Sequence, residues 1–192
     1  MRRLDLIVGP NGAGKSTIVD LVLARRIPGS VVVNADLIAA RRWPKDPAGH
    51  AYEAAEIATA TRSALIAAGQ PFIAETVFSH PSKIDLVREA RLAGYTVVLH
   101  VVLVTEDLAV ERVSHRARAG GHDVPEHKIR ERFRRLWELV AQAAELADST
   151  TFYDNSGIDG PRIVANLSGG QVVGHHTWPA WAPTALRSRW LT

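Results

Sequence analysis

Gly9-Pro10-Asn11-Gly12-Ala13-Gly14-Lys15-Ser16-Thr17 follows the apolar run Leu4-Asp5-Leu6-Ile7-Val8 and precedes the helically spaced Ile18, Leu21 and Val22. The stretch fits G-x-x-x-x-G-K-[ST], and a strand before it with a helix after it is the context that distinguishes a phosphate loop from a glycine-rich turn. The glycines let backbone N–H groups turn toward phosphate oxygens. Lys15 would reach the β- and γ-phosphates, and Ser16 would ligate Mg²⁺. The start of a helix adds a dipole that favours an anion. ATP and Mg²⁺ are therefore the expected ligands, held by Asn11, Gly12, Ala13, Gly14, Lys15, Ser16 and Thr17.

Outward from this loop, strand and helix patterns alternate. Residues 30–36 (SVVVNAD), 71–76 (PFIAET) and 95–104 (YTVVLHVVLV) are short, apolar and rich in β-branched residues, as buried parallel strands are. Residues 149–156 (STTFYDNS) predict a last core strand and its exit loop. Helices are predicted over 16–27, 50–68, 81–93, from about Asp107, and over 124–147, with Gly69 and Gly94 as stops and Pro81 and Pro125 as first-turn residues. This alternation predicts an α/β, three-layer P-loop NTPase fold with a parallel sheet. No internal repeat is present. The organisation expected is a domain over 1–174 followed by a tryptophan- and proline-rich tail over 175–192. Residues 178–192 hold three of the five tryptophans, together with Pro179 and Pro183.

The bulk numbers are compatible with this. The chain has 192 residues, 46% hydrophobic and 22% charged, an ordinary globular mix. With no cysteine there is no disulfide framework, thiolate metal site or thiol nucleophile, which fits a cytoplasmic location. No apolar run approaches the roughly 20 residues of a membrane helix, so no membrane partner is expected. Asp5 interrupts the N-terminal apolar run, which argues against a signal peptide.

Residues 167–171 read LSGGQ, the signature of cassette ATPases. Its surroundings do not support that role. Val172, Val173 and Gly174 are poor helix formers, Pro179 would break a helix that began there, and no apolar strand ending in acidic residues lies downstream. Residues 162–174 instead predict two short strands around a glycine turn. LSGGQ is expected to lie far from the nucleotide.

Transfer of a γ-phosphate needs an acceptor hydroxyl, a base beside it and positive charge over the moving group. In an open parallel sheet the C-terminal ends of the strands surround the ligand crevice. Asp36 ends the second predicted strand and is the candidate base, with an N-cap or turn role as the alternative. Glu75 and Thr76 end the third and are candidates for positioning the acceptor. Arg112 to Arg135 holds seven arginines and one lysine against Asp123, Glu126 and Glu131. Its two arms flank Gly120-Gly121, as an arginine-rich helical lid over about 112–135 would. Arg116 and Arg118 before the hinge are the candidate catalytic arginines, and Arg130 and Arg132 lie beyond it. Paired charges on a solvated helix face would give the same pattern. Arg41, Arg42, Tyr52 and Arg62 fall where an acceptor pocket would form, without a decisive pattern.

GPNGAGKST, VNADLIA, FIAETVFSH, GGHDVPE-xx-IRERFRR and FYDNS together resemble the zeta-toxin family of P-loop kinases over residues 4–156. The GGHDVP segment is the most specific part of the match. The resemblance implies an ATP-dependent small-molecule kinase acting on an alcohol group, with the sugar hydroxyl of UDP-N-acetylglucosamine as the best-known acceptor and a small helical antitoxin as partner. It implies Lys15 as the phosphate-loop lysine, Asp36 as general base and Glu75 as substrate-positioning acid. Arginines of the lid would stabilise the transferring phosphate. Asn155, in the YDNS loop, would lie near the adenine. Two alternatives remain at this stage: a P-loop ATPase and a polynucleotide kinase acting on a macromolecule. The arginine segment has only Phe133 and Trp137 as neighbouring aromatics, so stacking platforms for bases are not evident and nucleic acid is the less economical partner.

Overall fold

The computed structural model describes residues 1–23, 27, 29–119 and 124–191. Its element order is β1 (Arg3–Val8), α1 (Lys15–Ile18) running into a π-helical turn (Val19–Leu23), β2 (Val31–Asn34), α2 (Ala35–Arg42), α3 (Ala51–Ala67), β3 (Phe72–Thr76), α4 (Ser82–Leu92), β4 (Thr96–Leu103), α5 (Glu106–Arg118), α6 (Glu126–Leu146), β5 (Ser149–Asp154), β6 (Arg162–Ser168), β7 (Gln171–Val172) and α7 (Thr184–Trp190). The strands form one sheet in the order β2-β3-β1-β4-β5-β6-β7. The pairings among β1 to β5 are all parallel, and β6 and β7 add antiparallel neighbours at one edge.

Side-chain alternation along the strands builds two cores, one on each face of the sheet. Leu4, Leu6, Val8, Phe72, Val97 and Leu99 are buried against residues of α3, α4, α6 and α7. Ile7, Ile73 and Val102 are buried on the other face against Ile18, Ala109, Val113 and the start of α6. Helices on both faces give the three layers expected. The helix predicted over 16–27 begins at Lys15 and is regular only to Ile18 before the π-type turn. Ile18 and Val19, where the change occurs, are β-branched and weaken helical regularity.

The tryptophan-rich tail is part of the first core. Trp178, Ala182, Leu186 and Trp190 are buried there, and the Phe152 ring lies 4.9 Å from Trp178 and 5.6 Å from Trp190. Trp190 Nε1 donates to Gly170 O at 3.0 Å. LSGGQ forms the β6–β7 hairpin, with Gly169 and Gly170 both at positive φ. Ser168 pairs with Ser149, the first residue of β5. That is the N-terminal end of a strand parallel to β1, opposite to the end where the glycine loop emerges. Among the described residues no helix is long and apolar enough to cross a membrane.

A buried polar knot crosses the second face. The Asp5 carboxylate in β1 is fully buried and accepts from Arg3 Nε at 2.6 Å, Arg3 Nη2 at 2.8 Å and His100 Nε2 at 3.1 Å. Burial would raise its pKa, but the bonds from Arg3 and His100 outweigh that and hold the carboxyl below its ordinary value. A carboxyl with a depressed folded pKa stabilises the fold above its unfolded pKa, and that contribution is lost as pH falls through the folded value. Asp5→Asn is thus expected to cost about 3 kcal/mol at pH 7 by denaturant unfolding, since it leaves the Arg3 guanidinium without its counter-charge. The difference from wild type should shrink on acidification below about pH 4. A constant difference from pH 7 to pH 3 would contradict an ionised Asp5.

Candidate active site

The loop after β1 is shaped by left-handed glycines and pinned from outside. Gly12 has φ 74° and Gly14 φ 86°, a region that side chains rarely adopt. A Cβ on Gly12 would come within 2.5 Å of Ala109 O in α5. Asn155, just past β5, donates from Nδ2 to Ala13 O at 2.8 Å. Its own carbonyl accepts from Arg112 Nη1 at 2.9 Å, and its N–H donates to Leu103 O at 2.9 Å. Asn155 therefore acts as a clamp on the loop itself, a role that its expected place near the adenine does not require.

Lys15 is buried inside this loop. Its Nζ donates to Gly9 O at 3.0 Å and Pro10 O at 2.8 Å. Burial lowers its pKa, the charges of Glu75 and Asp36 raise it in part, and the charge of Arg116 lowers it. Asn11 Oδ1 is a buried acceptor with no partner among the described residues. An ammonium held only by loop carbonyls, in a loop of left-handed glycines, suits a polyphosphate, whose oxygens would accept from the ammonium and from loop N–H groups.

Glu75, at the end of β3, gathers three segments. Both its carboxylate oxygens lie 3.1 Å from Ser16 Oγ, and Oε2 accepts from Asn34 Nδ2 at 2.8 Å. Asn34 ends β2 and caps α2, accepting through Oδ1 from the N–H groups of Asp36 at 2.8 Å and Leu37 at 3.4 Å. The strand predicted to end at Asp36 stops at Asn34, because this cap starts the helix two residues earlier. Asp36 is thus an exposed first-turn residue of α2 whose side of the helix lines the cavity. Ser16 and Glu75 offer a hydroxyl and a carboxylate oxygen. That suits Mg²⁺, which takes few protein oxygens and fills its octahedron with waters and phosphates.

Beside the loop lies a cavity of about 490 Å³. Asn11, Lys15, Asp36, Glu75 and Thr76 line its loop end. Thr76 Oγ1 accepts from Phe78 N at 3.4 Å in a turn that puts the fully buried Phe78 at φ 67°. A bulky residue there is strained, and such strain persists where the surroundings hold it. The far wall is α3, which presents Ala51, Ala55, Ala58 and Arg62 at spacings of one helical face.

The arginine segment sorts into distinct roles. Gly120, Gly121, His122 and Asp123, including the expected hinge, lie outside the described residues. Arg130 bonds Glu126, Glu106 and Asp107 at 2.8, 3.3 and 3.0 Å, ties α5 to α6, and has its pKa raised first by Glu126. Arg134 reaches Glu106 at 3.5 Å. These two are structural ties, not lid residues turned to a phosphate. Arg116 is exposed on the last turn of α5 but near enough for its charge to act on Lys15. Arg118 is exposed and does not line the cavity, nor does Thr17. Lys128 and Arg132 of α6 do line it. Of the pocket candidates, Arg62 is buried in the cavity wall, whereas Tyr52, Arg41 and Arg42 are exposed. Sequence reading missed Asn34 and Lys83. The strand-to-helix change at VVVNAD, with asparagine's preference for N-caps, was the available signal for Asn34.

With this geometry in hand, comparison with known proteins is decisive for the family. The sequence model of the zeta toxin family matches residues 2–159. This chain belongs to the zeta toxin family. No curated protein matches it. Among solved structures, the family member superposes on the AvrRxo1-ORF1:AvrRxo1-ORF2 complex crystallised with ATP, with a TM-score of 0.69 at 16% identity over 90% of this chain and 60% of the other. It also matches the PezAT chromosomal toxin–antitoxin system of Streptococcus pneumoniae, with a TM-score of 0.64 at 14% identity over 88% of this chain and 76% of the other. The likeness at these identities is one of fold. The chain spans about three-fifths of the AvrRxo1 chain it matches.

The Lys15 environment makes a prediction with a definite sign. Glu75 raises the Lys15 pKa, so removing its charge should lower that pKa further. Metal-free ADP binding should therefore fall off on the alkaline side at a lower pH in Glu75→Gln than in wild type. Calorimetric titrations from pH 7 to pH 10 check this; an unmoved or upward-shifted limb would dissociate Glu75 from Lys15.

Proposed function

We propose that this zeta toxin family member is an ATP-dependent kinase that phosphorylates a hydroxyl of a small molecule. The observation that carries the reading is that one cavity joins the phosphate loop to two carboxylates and then continues beyond them into room for an acceptor. MgATP, when bound, supplies the electrophilic γ-phosphorus, with ADP as leaving group. Lys15 would leave the carbonyls of Gly9 and Pro10 for phosphate oxygens. Ser16 would turn its hydroxyl from Glu75 to the metal. Asp36 is assigned the proton of the attacking hydroxyl, and Glu75 and Thr76 are assigned to hold the acceptor beside it. Arg116 is assigned to the negative charge that builds on the moving group. Arg118 keeps that assignment only as the neighbour of Arg116 on the same exposed helix end.

Family membership supports a nucleotide sugar such as UDP-N-acetylglucosamine as an acceptor to try first. It also supports an antitoxin partner, since the AvrRxo1 and PezAT structures are of two-component systems. A cassette-type ATPase draws no support from LSGGQ, which pairs with the opposite end of β5.

The test is incubation with Mg²⁺ and γ-labelled ATP against UDP-sugars, nucleosides, simple sugars, antibiotics and short oligonucleotides. Label is expected on a small molecule; label only in free phosphate would sink the kinase reading and favour an ATPase. Asp36→Asn should lower transfer by roughly 10²–10⁴-fold while ATP affinity is kept. Near wild-type transfer in that variant would remove Asp36 as the base.

A further inference from the structure

Among the described residues, the end of the cavity lined by Arg62 and Lys83 is positively charged and lacks a matching acid. Arg62 is 5% exposed, and its one hydrogen bond among the described residues is Nη2 to Thr59 Oγ1 at 2.8 Å. No described carboxylate lies within ion-pair distance of it. Its pKa is lowered by burial alone, so neither Glu75 nor Asp36 offsets its charge. Lys83 lines the same end and likewise has no described acidic partner. Burial lowers its pKa first, and the charge of Arg62 lowers it further. Lys83 also sits in the first turn of α4, where the helix dipole disfavours a cation. Lys128 and Arg132 face the same space from α6.

A buried guanidinium costs several kcal/mol unless an opposite charge meets it. Here folding has placed a second cation beside it at a helix N-terminus. Three alanines of α3 keep the approach to Arg62 open. Such an arrangement is unfavourable by itself and is relieved by an anion that brings oxygens to both groups.

We infer that Arg62 and Lys83 form an anion subsite for a phosphate group carried by the acceptor, at the end of the cavity remote from the phosphate loop. This rests on the phosphotransfer reading for its meaning, since the anion would fix the acceptor while another part of the same molecule presents a hydroxyl to Asp36. Two cations match the charge of a phosphate better than that of a carboxylate. The Arg62 guanidinium adds a planar fork for two phosphate oxygens.

A binding measurement separates this subsite from catalysis. Protein saturated with Mg²⁺ and a non-hydrolysable ATP analogue, to fill the loop, is titrated with inorganic phosphate and separately with acetate while Tm is followed. Phosphate should raise Tm in wild type, and the titration midpoint should move at least roughly tenfold in Arg62→Gln and in Lys83→Gln. Arg62→Lys should recover part of the response. Lys83 is only partly buried, so its variant carries the test if Arg62→Gln does not fold. No response in wild type, an unchanged midpoint in Lys83→Gln, or an equal response to acetate overturns the proposal. In the transfer assay, phosphorylated acceptors should show a KM at least roughly tenfold below that of their dephosphorylated forms, and the gap should close in both variants. Phosphate binding at Arg62 and Lys83 with no acceptor ever labelled would leave the subsite standing and the kinase reading failed. Labelling of neutral alcohols with a KM that Arg62→Gln leaves unmoved would do the reverse.

Discussion

The Glu75 carboxylate accepts from Ser16 at the start of α1 and from Asn34 at the end of β2 while it terminates β3. Three segments far apart in sequence are thereby fixed at one edge of the sheet. β3 lies between β1 and β2, so its end is the natural meeting point of the loops that follow those strands. Asn34 serves two functions at once, since its Oδ1 caps α2 while its Nδ2 holds Glu75. Asp36 takes its place on the cavity wall from that cap. The loop is held from the other side by Asn155, whose position depends on β5 pairing with β4. The glycine loop is therefore braced at both flanks by strand ends.

Charge is divided along the cavity. The loop end combines Lys15 with Asp36 and Glu75, so positive and negative groups there moderate one another. The other end has Arg62 and Lys83 with no acidic partner among the described residues, and the charge of Arg62 disfavours that of Lys83. Many of the remaining arginines in the basic segment are neutralised locally. Arg130, Arg134 and Arg135 each pair with a glutamate, and Arg112 is spent on a backbone carbonyl. The positive field that sequence distributes over 112–135 is thus concentrated in space on fewer groups, some of them on α3 and α4.

Much of the fold was legible because its signals are local. The phosphate loop, the apolar strands and the stops at Gly69 and Gly94 each declare themselves within a few residues, and the β6–β7 hairpin explained LSGGQ by the same means. The candidate site was legible only where a residue sits next to such a signal, as Lys15, Ser16, Asp36 and Glu75 do. Asn34 looked like one more polar residue at a strand end, because its double bonding needs β3 beside it. Arg62 was visible as a charge on an alanine-rich helix, but burial is set by the packing of α3, not by its neighbours in sequence. The arginines around the Gly-Gly pair misled in the opposite way. Proximity in sequence suggested a common task, whereas helix geometry points Arg130 and Arg134 at the acids of α5.

The stripe of Ala51, Ala55 and Ala58 that leads to Arg62 has an evolutionary consequence. On the proposed reading, room for an acceptor is made there by side chains that stop at one carbon. Ala58 is also packed in the core, but Ala51 and Ala55 are exposed, so enlarging either trims the cavity without disturbing the phosphate loop, the strand ends or the sheet. On the proposed phosphotransfer reading, acceptor size is adjustable through single-residue steps at Ala51 and Ala55, separately from the glycine loop. A scaffold arranged in this way lets selectivity drift while the chemistry stays fixed.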